Sequence, residues 1–490
     1  MTAAAVLPAS IRDRYEMVVG LEVHVQLKTR TKAFCNCSAQ FGGTPNTNTC
    51  PVCLGLPGAL PVLNAQAVEL AVRAAHSFCC KVNEVSIFAR KNYFYPDLPK
   101  GYQITQYDRP LAEHGRLVIG ERPDSSPVTI RITRVHLEED AGKSLHDRYP
   151  GSTAIDLNRA GVPLIEIVSE PDLRSSRDAG AYLRVLKQTL EFLSVSDVNM
   201  EEGSLRVDAN ISARLKGETR LGVKSEVKNM NSFSGVERAL EAEFVRQCGL
   251  LDAGEPVLQQ TMLWDATREE VRPARSKEAS HDYRYFPEPD LPPLILSQDW
   301  LCEIKAELPE LPKDKRARFV KEYGLGATDL DVLTSSLPLA DYFEAVAREY
   351  GDAKTAANWV MGEVLGSLRT TNTSIARFRV RPPDLTGLLK LVRDGKISHS
   401  AAKRVFASML QTGDRPEQIA EREGLIQVSD SDSLGAWVDA AIAENPKEWE
   451  RYRGGEKKLQ GVFVGMIMKK SSGRADPKRI NQILSERAGG

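Results

Sequence analysis

The stretch VGLEVHVQL, Val19 to Leu27, alternates without a break. Val19, Leu21, Val23, Val25 and Leu27 fall on one side of an extended chain; Gly20, Glu22, His24 and Gln26 fall on the other. A period of two predicts a β-strand with one buried face. SLRVDANISAR, Ser204 to Arg214, repeats the pattern, with Leu205, Val207, Ala209, Ile211 and Ala213 opposing Arg206, Asp208, Asn210 and Ser212. In GVKSEVK, Val223, Ser225 and Val227 oppose Lys224, Glu226 and Lys228. The apolar faces need a core, which predicts helices packed on one side of an antiparallel sheet.

Two helices fit that task. SSRDAGAYLRVLKQTLEFL opens on serines suited to capping and puts Leu183, Leu186, Leu190 and Leu193 on one stripe. SGVERALEAEF opens on Ser234 and Glu237, spaced as a capping box, and Phe233, Val236, Leu240 and Phe244 share its apolar side. The sheet's other face then carries Glu22, His24, Gln26, Arg206, Asp208 and Asn210, which reads either as a functional floor or as an ordinary wet face.

HLEEDAGKS, His136 to Ser144, offers two nucleotide-handling readings. Its end resembles a phosphate-binding loop, but the required glycine five positions before Gly142 is Leu137. Its start, Glu138-Glu139-Asp140, is an acidic run. Like charges about 4 Å apart repel by roughly 1–4 kcal/mol, depending on the effective dielectric, and a cation relieves that. Glu166 is a lone carboxylate within the apolar VPLIEIV. With Glu22, His24 and Glu139 it forms a set suited to Mg²⁺ or Mn²⁺. Alternation shifts parity between Ile132 and Val135, which predicts a bulge and leaves the face taken by Glu138 open.

Cys35, Cys37, Cys50 and Cys53 are spaced C-x-C-x12-C-x-x-C. Four thiolates in two close pairs predict a closed tetrahedral zinc site, structural because no position remains for water. Cys79, Cys80, Cys248 and Cys302 lack such spacing. RKNYFYPDLPKGYQITQYDRPL mixes Tyr93, Phe94, Tyr95, Tyr102 and Tyr107 with Lys91, Lys100 and Arg109. That composition suits stacking on a base and holding phosphate, or equally a loop packing its own rings.

The 490 residues allow two to four domains, and 65 Lys+Arg against 66 Asp+Glu give a net charge of −1. Nucleic-acid contact would therefore need a local basic patch. No apolar run approaches a membrane span, the first residues lack a basic leader, and clustered cysteines fit a reducing compartment, so the expectation is cytoplasmic. Texture divides the chain into residues 1–295, strand-rich; 296–410, helical; and 411–490, helical with a basic end.

The motifs GLEVHVQL, RKNYFYPDLPKGYQITQ, HLEEDAGKS, DLNRAGVPLIEIVSEPD, MEEGSLRVDANIS, EVKNMNSF and DYRYFPEPDLPP together resemble the B subunits of the aspartyl/glutamyl-tRNA(Asn/Gln) amidotransferases, the GatB family. The resemblance runs over essentially the whole chain and implies an α+β fold. An antiparallel-sheet cradle domain with a zinc-bound loop would precede an all-α helical domain and a YqeY-like all-α tail. It implies an ATP-dependent ligase that phosphorylates the side-chain carboxylate of Glu-tRNA(Gln) or Asp-tRNA(Asn) and then amidates it. Ammonia would come from a separate amidase, the A subunit, and a small C subunit would complete a heterotrimer.

Carried over residue by residue, the Mg²⁺ ligands would be Glu22, His24, Glu139 and Glu166. Lys91, Glu139 and Asp208 would line the ammonia route, with Tyr93 and Lys100 in the same wall. Arg206 and Asn210, on the same polar face, join Tyr93 and Lys100 as the candidates for nucleotide contact. Lys457, Lys458, Lys469, Lys470, Arg474, Lys478 and Arg479 would grip the tRNA through phosphate and shape.

Overall fold

A computed structural model describes residues 8–123, 126–274, 283–427, 431–471 and 475–489. The chain divides into two compact units, Met1–Pro312 and Lys313–Gly490.

The first unit is built on nine strands: β1 (Tyr15–Gln26), β2 (Lys81–Val82), β3 (Ala112–Glu121), β4 (Pro127–Glu139), β5 (Pro163–Ser169), β6 (Leu205–Leu215), β7 (Ser225–Lys228), β8 (Thr261–Asp265) and β9 (Glu270–Pro273). Their spatial order is β9-β8-β7-β6-β1-β5-β4-β3-β2. Every pair is antiparallel except β7 with β8. The strand with the cleanest alternation is therefore central. Val19, Leu21, Val23, Val25 and Leu27 are buried, as are Leu205, Val207, Ala209, Ile211 and Ala213. The third pattern is shorter than its alternation implies: the strand covers Ser225–Lys228, and Val223 is exposed.

Helices α1 (Ala65–Ser77), α2 (Ser176–Phe192) and α3 (Phe233–Asp252) pack into this core. The leucine stripe of α2 is buried throughout. Ser175 caps α2 by accepting from the Asp178 backbone N–H at 3.1 Å. In α3 the cap lies two residues before the expected one. Ser232 is extended and accepts from Gly235 N–H at 3.0 Å, and Glu237 pairs with Arg184 instead. The helix thus gains Phe233 in its first turn.

The predicted bulge sits in β4: Val168 pairs with Arg134 and Ser169 with Ile132, leaving Thr133 extra. The helix Gln298–Ala306 contributes Leu301 and Ile304 to the first unit's core.

The second unit is helical from Lys313 onward. It includes a separate core of Leu434, Val438, Phe463, Ile467, Ile480 and Leu484 near the chain's end. Among the described residues no helix is long and apolar enough to cross a membrane.

The relocated cap is testable by urea denaturation. Ser232→Ala should destabilise the first unit by about 1 kcal/mol, the usual cost of a lost helix cap. Ser234→Ala should stay within about 0.5 kcal/mol. The reverse ranking would restore the sequence-based assignment.

Candidate metal-binding and catalytic site

Antiparallel register sets the polar face. His136 lies opposite Glu166, Glu166 opposite His24, and His24 opposite Arg206, one row across β4, β5, β1 and β6. One step along, Glu22 faces Asp208; on the other side, Leu164 lies between Gln26 and Glu138. Because β4 regains alternation after Thr133, His136 and Glu138 both join this face.

The contacts concentrate on His24. Its Nδ1 is 3.0 Å from Glu138 Oε1 and 3.9 Å from Glu166 Oε2, and its Nε2 is 4.0 Å from Asp208 Oδ2. His136 Nε2 is 3.3 Å from Glu166 Oε2 and 3.7 Å from Glu138 Oε2, while its buried Nδ1 has no hydrogen-bond partner. His24, Glu138 and Glu166 offer ligand atoms within 4.8 Å of one another; so do Glu22, Asp208 and Glu226. The second group is partly neutralised already. Lys228 Nζ is 2.5 Å from Asp208 and 2.9 Å from Glu226, and Asn210 donates to Glu22 at 2.9 Å.

Burial disfavours charge on every one of these groups. At both histidines the facing carboxylates outweigh it. His24 is raised above its ordinary value, chiefly by Glu138, and His136 reaches about 9 through Glu166 and Glu138. Despite burial, Glu138 and Glu166 lie below the carboxylate range because the two imidazoles face them. Glu22 goes the other way, raised by burial and then by Glu166 and Glu226.

The acidic run divides three ways. Glu138 faces the histidines. Glu139 points elsewhere: it pairs with Lys100 and accepts from Ile104 N–H at 3.0 Å. Asp140 accepts from Gln26 at 2.8 Å and Arg206 at 2.9 Å. Of the set Glu22, His24, Glu139 and Glu166, the structure joins His24 with Glu166, places Glu22 in the neighbouring group, and sets Glu139 apart. Glu138 and His136 complete the centre; no parity count across an unplaced bulge assigns them.

Lys91 lies 4.9 Å from the Tyr283 ring centroid and 6.0 Å from that of Tyr93. Burial opposes its charge, but Glu138 leads the groups that raise its pKa. Tyr107 stacks on Tyr285 at 4.0 Å, so part of the aromatic segment packs on its own chain, while Phe94 is exposed. Gly142 does not form a phosphate loop. A Cβ there would meet Leu157 at 2.8 Å and the Asp97 carbonyl at 2.9 Å, and Lys143 opens a hairpin opposite Asp156.

The four cysteines converge. Cys53 Sγ lies 3.4, 3.6 and 3.7 Å from those of Cys35, Cys50 and Cys37. A tetrahedron with metal–sulfur bonds of about 2.3 Å has edges of about 3.8 Å, so the sulfurs fit a zinc ion. In the second unit Lys457, Lys458, Lys469, Lys470, Lys478 and Arg479 are exposed, and Arg474 lies outside the described residues.

A divalent cation entering between His24, Glu138 and Glu166 must displace the His24 proton. Since that pKa is raised, competition extends above the ordinary histidine value of about 6.5, and affinity should climb with pH through and beyond it. Calorimetric titration with Mn²⁺ in two buffers of different protonation enthalpy should show proton release. Identical heats would mean no such proton is displaced.

The GatB/GatE catalytic domain family matches residues 17–302, and the GatB domain family matches residues 341–487. The aspartyl/glutamyl-tRNA(Asn/Gln) amidotransferase B subunit of Chlorobium phaeobacteroides (strain BS1) is 52% identical over 97% of this chain and 100% of its own length. That of Syntrophotalea carbinolica is 51% identical over 98% and 99%, and that of Carboxydothermus hydrogenoformans 50% over 96% and 98%.

Proposed function

The chain belongs to the GatB family, and from that premise we propose that its polar sheet face activates a carboxylate for amide formation on tRNA. The observation that carries this reading is the convergence of His24, Glu138 and Glu166 on one largely buried spot. The substrate would be glutamate on tRNA(Gln), aspartate on tRNA(Asn), or both. A side-chain carboxylate oxygen attacks the γ-phosphorus of ATP and ADP leaves; ammonia then attacks the acyl phosphate and phosphate leaves. The first step is needed because a carboxylate is a poor acyl donor to an amine.

His24, Glu138 and Glu166 would hold Mg²⁺, with Glu22 beside them. When bound, that ion neutralises phosphate charge and orients the transferring group. The chain's own cations assist: Arg206 and Lys228 stand at the edge of the acidic group and can meet phosphate oxygens. Lys91 faces Glu138, a position from which it can hold a carboxylate or an entering ammonia molecule. Tyr93 lies beside Lys91 and Asp208 at the far side of His24, whereas Glu139, paired with Lys100, points to the other side of its strand. Ammonia would be delivered by a separate amidase chain, and a small third chain would complete the complex. Zinc in the cysteine cluster would be structural. The exposed lysines near the chain's end would contact tRNA phosphates, and that grip should weaken steeply with salt.

The test uses the protein co-purified with its partner chains, given Glu-tRNA(Gln), Mg-ATP and ammonium chloride, with Glu-tRNA and Gln-tRNA separated. Glu138→Gln and Glu166→Gln should each lose several kcal/mol of transition-state stabilisation, roughly two orders of magnitude in rate or more, with tRNA binding intact. Wild-type rates in both would move the chemistry off this face and leave the chain a tRNA-binding component.

A further inference from the structure

Lys32 is a buried cation that none of these roles uses. Its side chain has no solvent exposure. Its Nζ donates to the Asn48 carbonyl at 2.7 Å, the Leu157 carbonyl at 3.3 Å and Cys53 Sγ at 3.4 Å. Among the described residues no carboxylate forms an ion pair with it, so the cysteine cluster is the negative charge it faces.

Four thiolates around one Zn²⁺ carry a net charge of −2, and burying that charge calls for a nearby cation.

The lysine stem leads from the cluster to the sheet. A Cβ on Gly161 would lie 3.5 Å from Lys32 Cδ and 3.8 Å from Glu139 Oε2. Gly161 has φ +84°, accepts from Ala33 N–H at 2.8 Å and donates to the Asp140 carbonyl at 2.8 Å. One turn therefore touches the lysine on one side and the acidic run on the other.

We propose that Lys32 is the outer-shell counter-cation of a zinc–tetrathiolate centre, and that its bond to Leu157 fixes the 157–161 turn against the strand end bearing Glu139 and Asp140. It is a positioning residue, not a ligand. The inference rests on zinc occupying the cysteine cluster. An N–H···S bond withdraws electron density from the thiolate, which retards its protonation and release from the metal; outer-shell partners of this kind are worth about 10–100-fold in metal affinity.

The experiment compares wild type, Lys32→Met and Lys32→Gln in the co-purified complex. Zinc content is measured first, then the rate of zinc transfer to a coloured chelator. Wild type should hold one zinc and release it slowly. Lys32→Met should release it roughly 10–100-fold faster, following the affinity loss typical of outer-shell changes. Lys32→Gln, which keeps an N–H donor but not the charge, should fall between. In Co²⁺-substituted protein the sulfur-to-cobalt band should move to lower energy in both variants, a shift that a purely space-filling role would not produce. Hydrogen exchange across Leu157–Val162 should quicken in the variants and in wild type stripped of zinc. Folded variants with wild-type release and an unshifted cobalt band would overturn the counter-cation role. If neither variant folds, unchanged exchange across Leu157–Val162 in zinc-stripped wild type would overturn the coupling. A wild-type protein without zinc would sink the metal reading itself, and the inference with it.

Discussion

The centre of the sheet's polar face brings two imidazoles between buried carboxylates, and much of the first unit serves to hold them there. Glu138 and Glu166 would repel each other and lose hydration if left alone. Facing His24 and His136, they stay ionised while buried. Such a group is poised rather than inert. Its charges balance only while the imidazoles are protonated, and a divalent cation can take over that balance. The neighbouring Glu22, Asp208 and Glu226 already have Lys228 among them, so the two acidic groups are not equivalent.

This placement requires a rigid support, and β1 supplies it. β6 pairs with Tyr15–Val25 on one side and β5 with Glu22–Gln26 on the other, so the stretch bearing Glu22 and His24 is held along both edges. Its odd-numbered apolar residues are locked under α2 and α3, so its even-numbered polar residues have no freedom to turn. A one-residue slip of β1 would send Glu22 and His24 into the core, which makes the register strongly specified. Sheet and site are thus one arrangement: the burial that stabilises one face orients the other.

Much of this was legible in alternation. The faces of β1 and β6, the leucine stripe of α2, the cysteine spacing and the bulge in β4 could all be read from residue order. What escaped did so for physical reasons. Glu138 and His136 lie beyond Thr133, and an extra residue resets which parity faces inward, so their membership of the floor needed the pairing partner. Helix α1 is rich in alanine, and its stripe of Val68, Ala71, Val72 and Ala75 gives a weak signal, although Asn64 caps it. In α3, Ser232 and Ser234 both lie just before the helical run, and the cap hydrogen bond to Gly235 N–H distinguishes them. Lys32 was silent because nothing in sequence says that a lysine three residues before a cysteine will be sealed from water.

The acidic run shows why a local motif cannot be read as a unit. Glu138, Glu139 and Asp140 are consecutive and all buried, yet each pairs with a different part of the chain: the histidines, Lys100, and Arg206, with Gln26 adding a hydrogen bond to Asp140. Strand alternation forces Glu138 and Glu139 to opposite sides, and the strand then ends, which frees Asp140 to return toward the floor. The end of the strand is itself pinned. Asp140 exchanges backbone hydrogen bonds with Val162 and Gly161, and Arg159 donates to the Ala141 and Gly142 carbonyls. Gly161 is the point where that turn is held by Ala33, from the segment that leads into the cysteines. The segment leading into the cysteines therefore meets the strand end not by proximity of charge but through a short run of backbone hydrogen bonds, Ala33 to Gly161 and Gly161 to Asp140.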